Sequence, residues 1–179
     1  MSNHTDLLAT RRSLTVAMIA FAAAFAVHGI DHFRRGMAAS PPSVMVGGTL
    51  QGVFVVVAVV LVLRYHRWAP EAAILVGFGS AILFTYAHVL PTFLPGYQDS
   101  FTSGPRINVT WFSWLTAVGE IGAGLVLGYV GLHAQRRISR SSLRDKAITN
   151  AAHRRIRRHN SQCAANTQSQ GARQPGPAA

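Results

Sequence analysis

The chain has 179 residues, 49% hydrophobic and 13% charged, with a net charge of +11. A soluble domain carries nearer ~25% charged residues, and here the apolar residues gather into four long runs, which excludes a water-soluble globular fold. The one cysteine, Cys163, excludes an internal disulfide and a thiolate metal site.

Residues 1–13 form a short segment bearing Arg11 and Arg12, and the first apolar run covers about 14–33. At 1.5 Å per residue, ~20 residues cross ~30 Å of hydrocarbon. An alternative is a secretory signal, with residues 1–26 cleaved after "AFA" and "TRRSLT" as a faint twin-arginine pattern. The apolar run continues through Ile30 to Arg34-Arg35, which favours a retained span. Its end is unusual: "HGIDHFRRG" puts His28, Asp31 and His32 into the last turns of a lipid-soluble helix.

The second run, about 44–63, follows Pro41-Pro42, which stop one helix and open the next. It carries Gln51 inside a GxxxG, Gly48 to Gly52. The third, about 72–90, has Gly77, Ala81, Thr85 and His88 at steps of three and four. A connection at 91–110 comes next, long for neighbouring helices, and reads either as a small lid or as a disordered loop. The fourth run, about 111–132, puts Ser113, Thr116, Ala117, Glu120, Gly124 and Gly128 on one small-residue stripe.

From His133 the tail holds nine arginines and one lysine against one aspartate. Leu143, Ala147, Ile148, Ala151 and Ile156 recur at roughly helical spacing, as in a segment lying on anionic lipid; a solvated basic tail is the plainer alternative. Disorder is expected from about residue 160. Nucleic acid is not the expected partner, since the tail lacks aromatics to stack on bases. The sixteen-to-one excess of arginine over lysine suggests a GC-rich, bacterial genome.

These runs predict an all-α fold, an integral-membrane four-helix antiparallel bundle with a basic cytoplasmic tail at 133–179. Arg11, Arg12, Arg64, Arg67 and the tail share one side, so the positive-inside rule places both termini in the cytoplasm of a multi-pass cell-membrane protein. His28, Asp31, His32, His88, Glu120 and Gln51 then fall in the outer leaflet. His28 and His32, at i and i+4, can reach one metal ion. Asp31, His88 and Glu120 would complete the ligand set, with Gln51, Thr85 and Thr116 supporting it. Alternatively, His28 and His88 ligate a haem lined by Phe21, Phe25, Phe84 and Trp114.

The expected function is metal or haem binding that serves electron transfer or metal handling. The competing classes are a scaffold whose polar cluster only fixes helix packing, with Asp31 paired to Arg34 or Arg35, and a proton-coupled transporter subunit. No nucleophile, phosphate-loop or zinc-protease motif points to an enzyme. The expected partners are the bilayer, anionic lipid at the tail, and a second copy or another membrane protein. His66, His133, His153 and His159 read as ordinary polar residues.

Overall fold

The computed structural model describes the backbone of residues 2–171 and the side chains of residues 8–36 and 38–143. It is all-helical: α1 Ser2–Arg35, α2 Pro42–Leu63, α3 Ala69–Phe84 and α4 Trp111–Gly171. A 3₁₀ turn, Met37–Ala39, links α1 to α2, and a π-helical turn, Thr85–Val89, continues α3. Among the described residues four stretches are long and apolar enough to cross a membrane: Leu8–Arg35, Pro42–Leu63, Ala69–Val89 and Trp111–Leu143. The four runs legible in the sequence are therefore helices; the first three begin a few residues earlier than expected, and the fourth continues well past residue 132.

The chain divides into two compact units, Met1–Arg136 and Arg137–Ala179. In the second unit the side chains past Leu143 lie outside the described residues, and with them Ala147, Ile148, Ala151, His153, Ile156, His159, Cys163 and the stretch expected to be disordered. The polar residues of the four apolar runs all belong to the first unit.

Helix α1 is apolar around its whole circumference, yet it buries one stripe: Leu14, Ala17, Met18, Phe21, His28, Asp31 and Arg35. Steps of three, four and seven residues keep these on one face. Val16, Ile19, Val27, Ile30 and Phe33 on the other faces are 42–69% exposed. Such a surface suits lipid, where burial of the opposite face comes from packing rather than from escape from water. Leu14, Met18 and Phe21 pack with Val55, Ala58 and Val62 of α2, with Ala69, Ala73 and Val76 of α3, and with Leu127 of α4.

Helices α3 and α4 approach most closely at their glycines. A Cβ placed on Gly77 would lie 2.5 Å from the Gly128 nitrogen and 2.6 Å from the Gly124 oxygen. Both helices thus meet backbone to backbone, as small-residue stripes permit. The GxxxG of α2 does not act this way: Gly48 has open space beside it, and Gly52 faces only the Phe25 ring at 3.6 Å. Backbone alone fixes the end of α1. Gly36 has φ +95, a region that side chains rarely adopt, and so turns the chain directly after Arg35. Pro41 and Pro42 then open α2.

The connection at 91–110 is an ordered lid. Gln98, Asp99, Ser100 and Phe101 are buried, although the segment has no regular secondary structure. Its hydrogen bonds explain why. The last carbonyls of a helix have no partner within that helix, and here the lid supplies one to each of five in succession. Gln98 Nε2 donates to Tyr86 O (2.8 Å), and Asp99 N to Ala87 O (3.0 Å). Phe101 N donates to His88 O (2.8 Å), Thr102 Oγ1 to Val89 O (3.2 Å) and Ser100 Oγ to Leu90 O (2.7 Å). The lid is the C-terminal cap of α3 and its π turn. It also caps α1, where Asn108 Nδ2 donates to Arg35 O at 3.0 Å.

Candidate metal centre

His28 and His32 lie one helical turn apart on α1. His88 comes from the π turn after α3, where Leu90 N reaches back five residues to Thr85 O. Single π turns inside α-helices are frequent at functional sites. The three imidazoles converge: each offers a ring nitrogen, and these nitrogens all lie within 4.8 Å of one another. His28 and His88 are 2% and 1% exposed, and His32 is partly buried. The Nε2 atoms of His28 and His88 are 3.3 Å apart. Two ligands ~2.0–2.1 Å from one ion at the tetrahedral angle stand about 3.3 Å apart.

Hydrogen-bond accounting gives the tautomer of each ring. His88 Nδ1 lies 3.1 Å from the main-chain carbonyl of Asp99. A carbonyl only accepts, so this Nδ1 donates and Nε2 keeps its lone pair. The Thr116 hydroxyl donates to Ser113 O (3.0 Å), so toward His28 Nδ1, 3.2 Å away, it accepts. Ser40 Oγ donates to Asp99 Oδ2 (2.7 Å) and accepts from His32 Nδ1 (2.9 Å). All three rings therefore donate from Nδ1, each to an oxygen, and the unprotonated Nε2 atoms of His28 and His88 face each other. Metal-bound imidazoles are held by this kind of outer partner, which fixes both tautomer and ring orientation.

Aromatic rings wall the cluster. Phe84 lies 5.1 Å from the His28 ring and 5.7 Å from the His88 ring, and Phe101 of the lid lies 4.8 Å from His88. Behind it stands an ion pair of the lid. Arg35 grips Asp99 with two nitrogens, at 2.6 and 2.9 Å, and both side chains are almost fully buried.

The other residues expected at the site have different surroundings. Asp31 is buried but turns one oxygen to Arg34 (2.8 Å) rather than joining the imidazole group; its other oxygen has no partner. Thr116 Oγ1 lies 3.2 Å from His28 Nδ1. Thr85 instead bonds its own helix at Ala81 O (2.7 Å), and Gln51 donates to Ser80. Glu120 is fully buried, as its place on the α4 stripe requires, but lies outside the imidazole group and has a partner on neither oxygen.

Asp99 and Ser40 are the parts of the site that sequence reasoning does not single out. One signal was available. Arg34 and Arg35 both end a membrane span with a single acid beside them, Asp31, and Asp99 is the only acid in the connection that can reach them. Comparison with protein-family models, with curated proteins and with solved structures finds no match.

Proposed function

We propose that this is an integral membrane metalloprotein that holds one divalent first-row transition ion, such as zinc or copper, on His28, His32 and His88. The observation that carries the reading is the convergence of three imidazole rings, with a nitrogen of each within 4.8 Å of the others and each Nδ1 held by an oxygen. Lone pairs on the facing Nε2 atoms of His28 and His88 repel each other, and a cation between the rings would remove that repulsion. Imidazole ligands suit zinc, copper, iron and nickel. Three protein ligands leave the fourth tetrahedral position open to water or another small ligand, the arrangement of zinc centres that do chemistry rather than only brace a fold. The 4.8 Å span of the group exceeds the ~4.1 Å that ligands across one ion can have, so the rings close in slightly as it binds.

The same contacts favour a bare ion over a haem. The His28 and His88 rings are 4.8 Å apart at 62°, with His32 4.9 Å from the first and 5.4 Å from the second. A flat macrocycle between them would have to displace His32. We also place the centre near the outer surface of the membrane, in an antiparallel bundle with both termini in the cytoplasm, on the distribution of arginines.

The 3.3 Å contact between His28 and His88 favours one second reading, a purely structural hydrogen bond. It requires the Thr116 hydroxyl to leave Ser113 O and donate to His28 Nδ1 instead. The test is the full-length protein in mild detergent, stripped with chelator and titrated with Zn²⁺ or Co²⁺. One ion per chain should bind, with no haem absorption after purification. His28→Ala and His88→Ala should remove binding while the protein remains in the membrane. Uptake no greater than that of the triple alanine variant would leave the hydrogen-bond reading standing.

A further inference from the structure

Glu120 is a strongly polar group of the spans that neither the lid nor the histidine cluster explains, and the described side chain with both carboxyl oxygens unpartnered. Its side chain is 0% exposed and both carboxyl oxygens lack a hydrogen-bond partner. It makes no hydrogen bond or ion pair with His28, His32 or His88 among the described residues. Its position is nonetheless close. Glu120 follows Thr116, the partner of His28, by one turn of α4, about 6 Å along the axis.

Charge balance singles it out. Around the centre, α1 contributes His28, Asp31, His32, Arg34 and Arg35, the turn after α3 contributes His88, and the lid contributes Asp99 and Arg106. Helix α2 contributes no titratable side chain. Asp31 is paired with Arg34 and Asp99 with Arg35, so neither carboxylate is left to balance a further cation. Glu71 belongs to the first turn of α3, at the opposite end of that helix from His88. A divalent ion on three neutral imidazoles would thus bring two uncompensated positive charges into an apolar bundle. Among the described side chains Glu120 is the remaining acid, and it stands on α4, whose Thr116 bonds His28 of α1.

We infer that Glu120 is the proton-exchanging counter-charge of the metal centre. In the empty protein the carboxyl keeps its proton, because an ionised carboxylate with no donor is costly among apolar helices. When the ion binds to three neutral imidazoles, the Glu120 O–H bond breaks, its electron pair stays on the carboxylate and the proton leaves to water. Metal uptake is then an exchange of one divalent cation for one proton at this residue. Thr116 and Ser113, four and seven residues back on the same face, carry hydroxyls from Glu120 toward Arg34 at the lid. This inference rests on the metal reading and makes Glu120 a positioning charge rather than a ligand.

The test counts protons. Zn²⁺ is added to full-length protein in weakly buffered detergent solution, and proton release per bound ion is measured for wild type, Glu120→Gln and Glu120→Asp. The wild type and Glu120→Asp should each release about one proton more per ion than Glu120→Gln. The loss of the compensating charge should weaken zinc binding by Glu120→Gln roughly 100- to 1,000-fold, the size expected of a unit charge about 10 Å from a divalent ion at an effective dielectric near 20. On the wild type alone, infrared difference spectra should show the carbonyl band of a protonated carboxyl disappearing as zinc binds. Equal proton release by wild type and Glu120→Gln, or a carboxyl band unchanged by zinc, overturns this inference and leaves the metal centre intact. A wild type that takes up no zinc overturns both.

Discussion

Arg35 and Asp99 form a two-pronged ion pair at 2.6 and 2.9 Å, buried between the end of α1 and the lid. The Asp99 carboxylate also accepts from Ser40, and its main-chain carbonyl accepts from His88. One residue of an irregular loop therefore steadies two of the three imidazoles, His88 directly and His32 through Ser40. Removing it leaves the Arg35 guanidinium buried and without its carboxylate, a loss of about 3–5 kcal/mol for a buried pair. Asp99→Ala should accordingly lower the thermal unfolding midpoint in detergent and open the bond between residues 94 and 97 to protease. An unchanged midpoint would mean that the lid does not depend on this pair.

Thr116 is the acceptor that holds His28 Nδ1–H, and its own proton is used on Ser113 O. Thr116→Val keeps the shape and removes the acceptor. Metal affinity should fall about 10- to 100-fold, as outer-partner losses do, while the unfolding midpoint moves little. Thr116→Ser, which retains the hydroxyl, should restore affinity. An equal loss in both variants would point to packing rather than to the hydrogen bond.

Gly124 faces the Gly77 carbonyl, and a Cβ there would stand 2.7 Å from that oxygen. Gly124→Ala must push α4 away from α3, at about 1–3 kcal/mol for an overpacked contact. The displacement carries Thr116 with it, so metal affinity should drop along with stability. Gly122, two residues earlier and facing open space, is the internal control. Alanine there should leave both quantities unchanged or raise stability by about 0.5–1 kcal/mol through helix propensity. Tolerance of both substitutions would show that the glycine contact is not tight.

Placing the cluster outside puts Arg34 and Arg35 on the side where arginine is disfavoured. Their pairing with Asp31 and Asp99 weakens that objection, since each charge is matched locally. Epitope tags after Trp68 and after Ser142 should be protected in spheroplasts, and one after Tyr97, which is 64% exposed, should be accessible. A tag within 98–101 would disrupt the buried part of the lid and report nothing useful about sidedness. Accessibility of the Ser142 tag alone would invert the orientation.

Much of the fold is legible in the chain because lipid makes the pattern strong. Four long apolar runs allow little besides four helices, and polar residues within them stand out against that background. His28, His32, His88 and Thr116 come together because helical spacing and small-residue stripes carry real information about which faces meet. The GxxxG of α2 misleads, since a glycine pair marks where close approach is allowed and not where a partner makes it. Gln51 shows the same limit, turning to Ser80 rather than to the histidines. The lid is illegible for a different reason. Its fold comes from side chains and amides that satisfy the end of another helix, and such pairings have no period. The π turn likewise leaves no composition signal in "TYAHV", although it sets the direction of His88.

The five carbonyls from Tyr86 to Leu90 that the lid satisfies also decide how the lid can move. Lifting the lid would strip all five of their donors at once, together with the Arg35–Asp99 pair, so it does not swing like a gate. Opening this side of the cluster therefore requires a local unfolding event that frees the lid and the helix end as one cooperative piece. If the proposed ion is held there, it should leave slowly and survive dilution and washing.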